Sequence, residues 1–288
     1  MTAPPVGLAL YRETARAASA PVIRRYSSSF GMASALFPRR CRGSIAAIYA
    51  LVRVADEIVD GTAAEAGLVP SELREALDLF EAEVEHALIT GFSANLIVQA
   101  FADVARRAGF GPELTRPFFA SMRRDLEPVA FDDGALRAYV HGSAEVVGLM
   151  CLRVFTPTRD ARLDDAACAL GSAFQLVNFL RDLGDDRDRL GREYLPEFRL
   201  LSVESATAAV IVRIRADLAR ARSGIPLLPA DCRLAVATAA AVFGELLARI
   251  ETLPAEQLAG TRVSVPTSRK LALLARERMR LLGAGGRA

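Results

Sequence analysis

The chain has 288 residues, of which 52% are hydrophobic, 36 are lysine or arginine and 34 are aspartate or glutamate. This composition supports a large buried core, and the formal net charge of +2, without a basic run interleaved with aromatic residues, disfavours a nucleic-acid partner. With only two histidines, the chain has little material for a zinc cluster or a Ser-His-Asp site.

The four cysteines are far apart in sequence and form no C-x-x-C pair, which is typical of reduced, buried thiols. The N-terminus lacks the basic and apolar regions of a secretory signal, and no run of about 18 apolar residues could span a membrane. We therefore predict a soluble cytoplasmic protein. A peripheral contact with the inner face of the membrane and the oligomeric state stay open, and no amphipathic basic anchor is evident in the sequence.

Helical patterns follow one another along the whole chain and never change to strand alternation. The first helix is predicted over about 8–20, where Pro21 should end it. The next carries residues 42–60, has Pro38 near its first turn and should stop at Gly61. Further helices are predicted from residue 70 and over about 93–108, 112–125, 133–155, 160–186, 202–223, 229–251 and 266–282.

No proline- or serine-rich linker and no internal repeat divides the sequence. The helix that opens at Pro70 has Ser71 as its expected cap. Residues 234–248 contain one charged side chain, Glu245, and should form a central, nearly fully buried helix. We predict one all-helical domain over 1–288, with flexible ends at about 1–7 and 283–288.

Two aspartate pairs lie on apolar helical segments. Asp56 and Asp60 are four residues apart, as are Asp182 and Asp186, and Asn178 precedes Asp182 by the same interval. Such residues share one helix face, about 6 Å apart along the axis. One pair alone is usually a solvated face, but two pairs on apolar helices favour a metal site. Their oxygen donors suit Mg²⁺, with Mn²⁺ as the alternative, and antiparallel packing would let the pairs face each other across a cavity.

Three arginines accompany these acids. Arg53 precedes Asp56 by one helical turn, Arg181 is next to Asp182, and Arg262 lies in a segment near the C-terminus. Arginine binds phosphate oxygens in a bidentate manner, while Mg²⁺ bridges phosphate to carboxylate. Each arginine alone is more often a salt-bridge partner. Together with the aspartates, they predict a ligand with a diphosphate head and a long hydrocarbon tail.

Four segments that include these motifs resemble the squalene/phytoene synthase family. They are residues 26–30, 48–60, 175–186 and 191–196. The resemblance spans about 27–270, and residues 142–155 are most similar to bacterial phytoene synthases. It implies an all-α isoprenoid synthase-type bundle around a central apolar cavity, and head-to-head joining of two prenyl diphosphates.

The resemblance also implies roles for individual residues. The Mg²⁺ ligands would be Asp56 and Asp60 for one diphosphate, and Asn178, Asp182 and Asp186 for the other. The catalytic residues would be these four aspartates and Tyr49. Diphosphate oxygens would be held by Arg53, Arg181 and Arg262, and further substrate-binding positions would be Ser27, Ser29, Phe30, Gln175 and His141.

The implied reaction begins with ionisation of one allylic diphosphate and attack on the resulting cation by the double bond of the second substrate. A cyclopropylcarbinyl diphosphate forms, ionises and rearranges to the joined hydrocarbon. The leading product is phytoene from two geranylgeranyl diphosphates, the first step of C40 carotenoid biosynthesis, with no NADPH expected.

Two other functions remain possible alternatives to phytoene synthesis. One is a C30 synthase that makes squalene or dehydrosqualene from farnesyl diphosphate. The other is a non-catalytic assembly or lipid-binding factor, which would be expected to have lost its aspartate motifs. The chain also departs from the family pattern, because His141 and Phe243 stand at positions that are often tyrosine, and Tyr26 stands at a histidine position.

Overall fold

The computed structural model describes residues 5–127, 130–188, 191–254, 257–258 and 260–285, apart from the side chains of 28–30, 185, 188 and 284–285. The helices in the first part of the chain are α1 (Leu8–Tyr26), α2 (Ser28–Leu36), α3 (Arg39–Val59), α4 (Thr62–Glu65), α5 (Pro70–Thr90), α6 (Leu96–Ala108) and α7 (Pro112–Arg124). Those that follow are α8 (Asp133–Val140), a π-helical turn (His141–Glu145), α9 (Val146–Phe155), α10 (Ala161–Arg181), α11 (Leu183–Asp188), α12 (Glu197–Leu200), α13 (Val203–Gly224), a 3₁₀ turn (Ile225–Leu227), α14 (Ala230–Glu251) and α15 (Thr267–Gly285).

Within these ranges β-type pairing is limited to one isolated parallel bridge, between Ala130 and Glu193, so the all-α prediction is confirmed. The helices form two compact groups. Unit 1 comprises Met1–Leu126 and Met150–Thr158, and unit 2 comprises Glu127–Leu149 and Arg159–Ala288. The single-domain boundary stays a prediction. No helix in the described part of the chain has the length and apolarity needed to cross a bilayer.

In unit 1, α3 packs against α1, α5, α6 and α7. It begins after Pro38 and buries a continuous apolar face that includes Ile48, Leu51 and Ala55. The predicted stop at Gly61 is confirmed, because this residue has a φ of 114°, a left-handed conformation that glycine adopts without strain. The packed face fixes α3 in rotation, and this determines where its C-terminal aspartates lie.

Two predicted features of unit 1 are wrong. Helix α1 does not end at Pro21 but continues to Tyr26, because Ser19 and Ile23 prolong its buried face. The hydrogen bond that proline cannot donate is offset by this packing. Helix α5 is capped at Val69, whose N–H donates to Glu72 Oε2 at 2.8 Å, and not at Ser71. The cap lies two positions earlier than predicted because the fixed φ of Pro70 suits the first turn.

In unit 2, α10 packs mainly against α13 and also against α14 and the π-helical turn. An ideal Cβ on Gly171 would lie 2.5 Å from the carbonyl oxygen of Ala144, so α10 approaches the π-helical turn backbone to backbone. The predicted burial of α14 is largely confirmed, with Thr238 and Leu246 among its buried residues. The one acidic residue within 234–248, Glu245, forms ion pairs with Arg249 and Arg269.

The predicted continuous helix over 160–186 is wrong at one point. Helix α10 ends at Arg181, and Asp182 has φ −102° and ψ 12° before α11 begins. Gly184 and the neighbouring aspartates are weak helix formers, which favours a break here. The N–H of Asp182 still donates to Asn178 O at 2.8 Å, and the N–H of Asp186 donates to Asp182 O at 2.9 Å. The spacing of four residues therefore survives the break.

Candidate active site

The acidic pair of unit 1 lies at the C-terminal end of α3. Asp56 and Asp60 are both half-buried, and the N–H of Asp60 donates to Asp56 O at 2.7 Å. Burial raises the pKa of Asp56 well above its usual range, and the charge of Asp60 raises it further. Arg53 opposes this shift, whereas Asp125 and Glu57 add to it. The ionised pair is therefore costly, and a bound cation would lower that cost.

The raised pKa of Asp56 predicts how stability depends on pH. The folded chain binds the Asp56 proton more tightly than the unfolded chain does, so protonation of Asp56 stabilises the fold. This contribution to the free energy of unfolding is fully present below the ordinary pKa of 3.8 and is lost as pH rises through the raised pKa. We expect Asp56→Asn to unfold at a higher temperature than the wild type at about pH 7.5, with a difference that shrinks towards about pH 5. Thermal unfolding with a chelator present measures this, and a difference that is constant with pH would disprove it.

Arg53 is held in place by two neighbours. Its Nε donates to Glu57 Oε1 at 2.6 Å, and its guanidinium carbon lies 4.5 Å from the centre of the Tyr26 ring. The Tyr49 hydroxyl shares a hydrogen bond with Ser27, and burial is the main cause that raises the pKa of Tyr49. Five of the residues predicted for unit 1 therefore form one continuous group on and beside α3, namely Ser27, Tyr49, Arg53, Asp56 and Asp60.

Three members of this group were not predicted. Glu57 could have been found, because it follows Arg53 by four residues on a helix, the spacing of an ion pair. Tyr26 was noted only as a departure from the family pattern. Asp125 is a buried carboxylate at the end of α7, and nothing in the local sequence shows that it adds to the electrostatic field at Asp56. The side chains of Ser29 and Phe30, both predicted to bind substrate, lie outside the described residues.

The site residues of unit 2 lie on one partly accessible face of α10. Gln175, Asn178 and Asp182 are half-buried, whereas the intervening Leu176 and Phe179 are buried. Near the C-terminal end of α10, polar side chains on this face can therefore reach a ligand. Asp186 continues it on α11 and is also half-buried.

Two arginines converge on Asp182. Arg181 Nε donates to Asp182 Oδ1 at 2.9 Å, and its Nη2 contacts the second carboxylate oxygen. Arg262 Nε lies 3.5 Å from Asp182 Oδ1, although the Arg262 side chain is 71% exposed. The structure thus brings Arg262 to Asp182, which lies 80 positions earlier in the sequence, and places it beside the adjacent Arg181.

Segment 191–196 packs against the end of α10 and the start of α11. The backbone N–H of Arg192 donates to Asp186 O at 2.9 Å, and Arg192 Nη1 donates to the Tyr194 hydroxyl at 3.3 Å. The Tyr194 ring stacks on Phe179 with centroids 4.3 Å apart and packs against Tyr139 at 5.0 Å. These rings are buried, so they hold the end of α10 and the start of α11 in a fixed relation.

His141 lies at the start of the π-helical turn. Its Nδ1 is 2.9 Å from Glu145 Oε2, and its side chain is about half exposed. Together with Arg137 and Arg213 it lines a surface depression of about 420 Å³. Its role in substrate binding stays a prediction, as does the prediction that the two aspartate pairs face each other across a cavity.

The donor chemistry of both clusters fits a hard divalent cation. Asp56 and Asp60 could hold one metal ion, and Asn178, Asp182 and Asp186 could hold another. Within the described ranges, no three His, Cys, Asp or Glu side chains lie together as a complete metal site. Water and phosphate oxygens would complete the coordination, which is the usual arrangement for Mg²⁺.

Comparison with known proteins identifies the family. A model of the squalene/phytoene synthase family matches residues 23–269. The chain belongs to this family. All of the predicted site residues described above lie within the part of the chain that matches the squalene/phytoene synthase model.

Among its relatives are proteins named as phytoene synthases. The 15-cis-phytoene synthase of Paracoccus sp. is 31% identical, and the match covers 93% of this chain and 93% of that protein. The phytoene synthase of Arthrospira platensis is 30% identical over 88% of this chain and 89% of its own length. Phytoene synthase 3 of Zea mays is 31% identical over 91% of this chain, which spans 65% of the maize protein.

Solved structures of the squalene/phytoene synthase type share the fold. A dehydrosqualene synthase in complex with a ligand has a TM-score of 0.77 and 24% identity, with 95% of this chain and 99% of that chain covered. The squalene synthase HpnC from Alicyclobacillus acidocaldarius has a TM-score of 0.73 and 20% identity, with 84% and 94% covered. The predicted isoprenoid synthase-type helical fold is therefore confirmed.

Proposed function

We propose that the protein is a Mg²⁺-dependent phytoene synthase, which joins two molecules of geranylgeranyl diphosphate head to head. The observation that carries the proposal is the convergence of Arg181 and Arg262 on Asp182 at the end of α10. The full-length similarity to proteins named as phytoene synthases supports it at the level of substrate class.

In this proposal the arginines exchange one anionic partner for another. Arg181 and Arg262 neutralise Asp182 before substrate binds, and a diphosphate would compete for the same guanidinium groups with more oxygens and more charge. Asp182 is then available as a metal ligand, together with Asn178 and Asp186. When bound, Mg²⁺ supplies positive charge that stabilises the departing diphosphate.

Arg53 has the corresponding role in unit 1. Its guanidinium is oriented by Glu57 and by the face of the Tyr26 ring, so part of the entropy cost of binding a diphosphate is already met. Asp56 and Asp60 would hold the metal ion for this diphosphate. The raised pKa of Asp56 indicates a desolvated carboxylate, for which a cation is a more effective partner than water.

The chemistry requires no nucleophilic side chain. The C–O bond of one allylic diphosphate breaks, and the leaving diphosphate takes the electron pair. The double bond of the second substrate then forms the new C–C bond, and loss of a proton closes the ring of the cyclopropylcarbinyl diphosphate. The second diphosphate leaves with the electron pair of its C–O bond, the resulting cation rearranges, and loss of a second proton gives phytoene. Apolar walls that exclude water would protect the cations from hydrolysis.

The test is a product assay with purified protein, Mg²⁺ and labelled geranylgeranyl or farnesyl diphosphate, with and without NADPH. We expect phytoene from the geranylgeranyl substrate without NADPH, and we expect a chelator to stop the reaction while the helical circular dichroism signal is retained. Preferential formation of a C30 hydrocarbon from farnesyl diphosphate would reassign the substrate length. No hydrocarbon and no diphosphate release from either substrate would refute the proposal.

A further inference from the structure

The C-terminal helix α15 has one packed face and one face turned to solvent. It packs against α14 in unit 2. Lys270, Leu273 and Glu277 form its buried face, with a spacing of three and four residues. The opposite face is exposed along most of the helix.

An apolar stripe runs along this exposed face. Leu271, Met279 and Leu282 are 54%, 69% and 65% exposed, and Ala275 lies between them. Intervals of four, four and three residues place these side chains within one sector about 80° wide. The stripe extends about 16 Å along the helix axis.

Arginines lie on both sides of the stripe. The same helical geometry places Arg278 about 20° outside one edge of the stripe, and Arg276, Arg269 and Arg280 about 60–100° beyond the other edge. All four are exposed. The only acidic residue between 267 and 285 is Glu277, which is buried and is shared by Arg276 and Arg280. Arg269 also pairs with Glu245 of α14, so four exposed arginines face two carboxylates and the exposed face of α15 keeps a net positive charge.

We propose that this face of α15, which we call the α15 stripe, docks on the surface of a bilayer that contains anionic phospholipids. Leucine and methionine side chains would enter the boundary between headgroups and acyl chains, Arg278 at the edge of the stripe would bind lipid phosphates, and the net positive charge of the helix would add a longer-range attraction. Each side of a stable protein interface contains roughly 20–30 residues. The stripe presents only a few apolar side chains on one helix, which favours a lipid surface over a protein partner. The α15 stripe is defined by the exposure and charge of one helix, so the inference does not depend on the proposed reaction.

The chain contains no tryptophan, so a single introduced indole reports its own surroundings. We expect Leu282→Trp to shift its fluorescence to shorter wavelength when vesicles of phosphatidylglycerol and phosphatidylcholine are added, and not with phosphatidylcholine alone. The matched control is Val212→Trp, at an exposed apolar position on α13, which should show no shift. In the Leu282→Trp background, Arg278→Glu and Met279→Glu should each weaken vesicle binding by about tenfold.

Three results would overturn the proposal. The first is equal fluorescence shifts for the two tryptophan variants. The second is binding that is independent of anionic lipid or unaffected by Arg278→Glu. The third is a shift that occurs without vesicles and follows dimer formation in sedimentation velocity, which would assign the α15 stripe to a second copy of the chain.

Discussion

Asp182→Asn is expected to lower turnover by about 10²–10³-fold while the chain stays folded. Asparagine keeps the shape of the side chain but loses the negative charge that a metal ligand needs. Because the arginine partners of Asp182 are partly solvated, we expect the free energy of unfolding to change by about 1 kcal/mol or less. Steady-state assays over a range of Mg²⁺ concentrations, with thermal unfolding in parallel, measure both effects.

The matched control is Asp165→Asn. Asp165 is exposed on the same helix, α10, and also pairs with an arginine, since its Oδ1 lies 3.3 Å from Arg220 Nη1. The control removes the same charge away from the candidate site and should leave turnover near the wild-type value. Wild-type turnover and Mg²⁺ dependence in Asp182→Asn would remove this residue from the proposed mechanism.

Gly171→Ala is expected to lower the free energy of unfolding by about 3 kcal/mol and to reduce turnover as well. The new methyl group would lie 2.5 Å from Ala144 O and 2.8 Å from its carbonyl carbon, and both are backbone atoms that cannot rotate away. Helix α10 would have to move from the π-helical turn, and Asn178 and Asp182 would move with it. Chemical unfolding measures the stability change.

Gly244→Ala is the control for this substitution, because it places the same methyl group in helix α14. The nearest atoms that it would meet are 3.8 Å away or more, an ordinary contact distance. Alanine should therefore stabilise α14 by up to about 1 kcal/mol through its helix propensity. Equal unfolding free energies for the two variants would contradict the close approach at Gly171.

Local signals in the sequence predicted much of the fold. The helix that carries Asp56 was placed correctly because proline marks its start and Gly61 its end. The end of α1 could not be predicted from Pro21, because the packing of Ile23 in unit 1 outweighs the loss of one hydrogen bond. The break at Asp182 was missed although Gly184 and the neighbouring aspartates are weak helix formers, because the apolar pattern runs through it.

In the candidate site, too, local sequence signals revealed some residues, whereas tertiary packing alone determined others. The four-residue spacing identified both acidic pairs, and proximity in sequence identified Arg53 and Arg181. The contribution of Asp125 arises from tertiary packing and has no local signature. The basic apolar face of α15 was missed for a similar reason, since the pattern alone does not show which of its apolar residues pack against α14 and which, like Leu282, remain exposed.

The proposed reaction depends on Asp56, Asp60 and Asp182 as ligands of the metal ions that bind diphosphate. The most direct measurement is anomalous diffraction from a crystal grown with Mn²⁺ and an unreactive thiodiphosphate analogue of the substrate. We expect one Mn²⁺ coordinated by Asp56 or Asp60 and another by Asp182, each also bonded to oxygens of a bound diphosphate. Bound analogue with Mn²⁺ elsewhere, and with these three carboxylates turned to bulk solvent, would contradict the proposed mechanism.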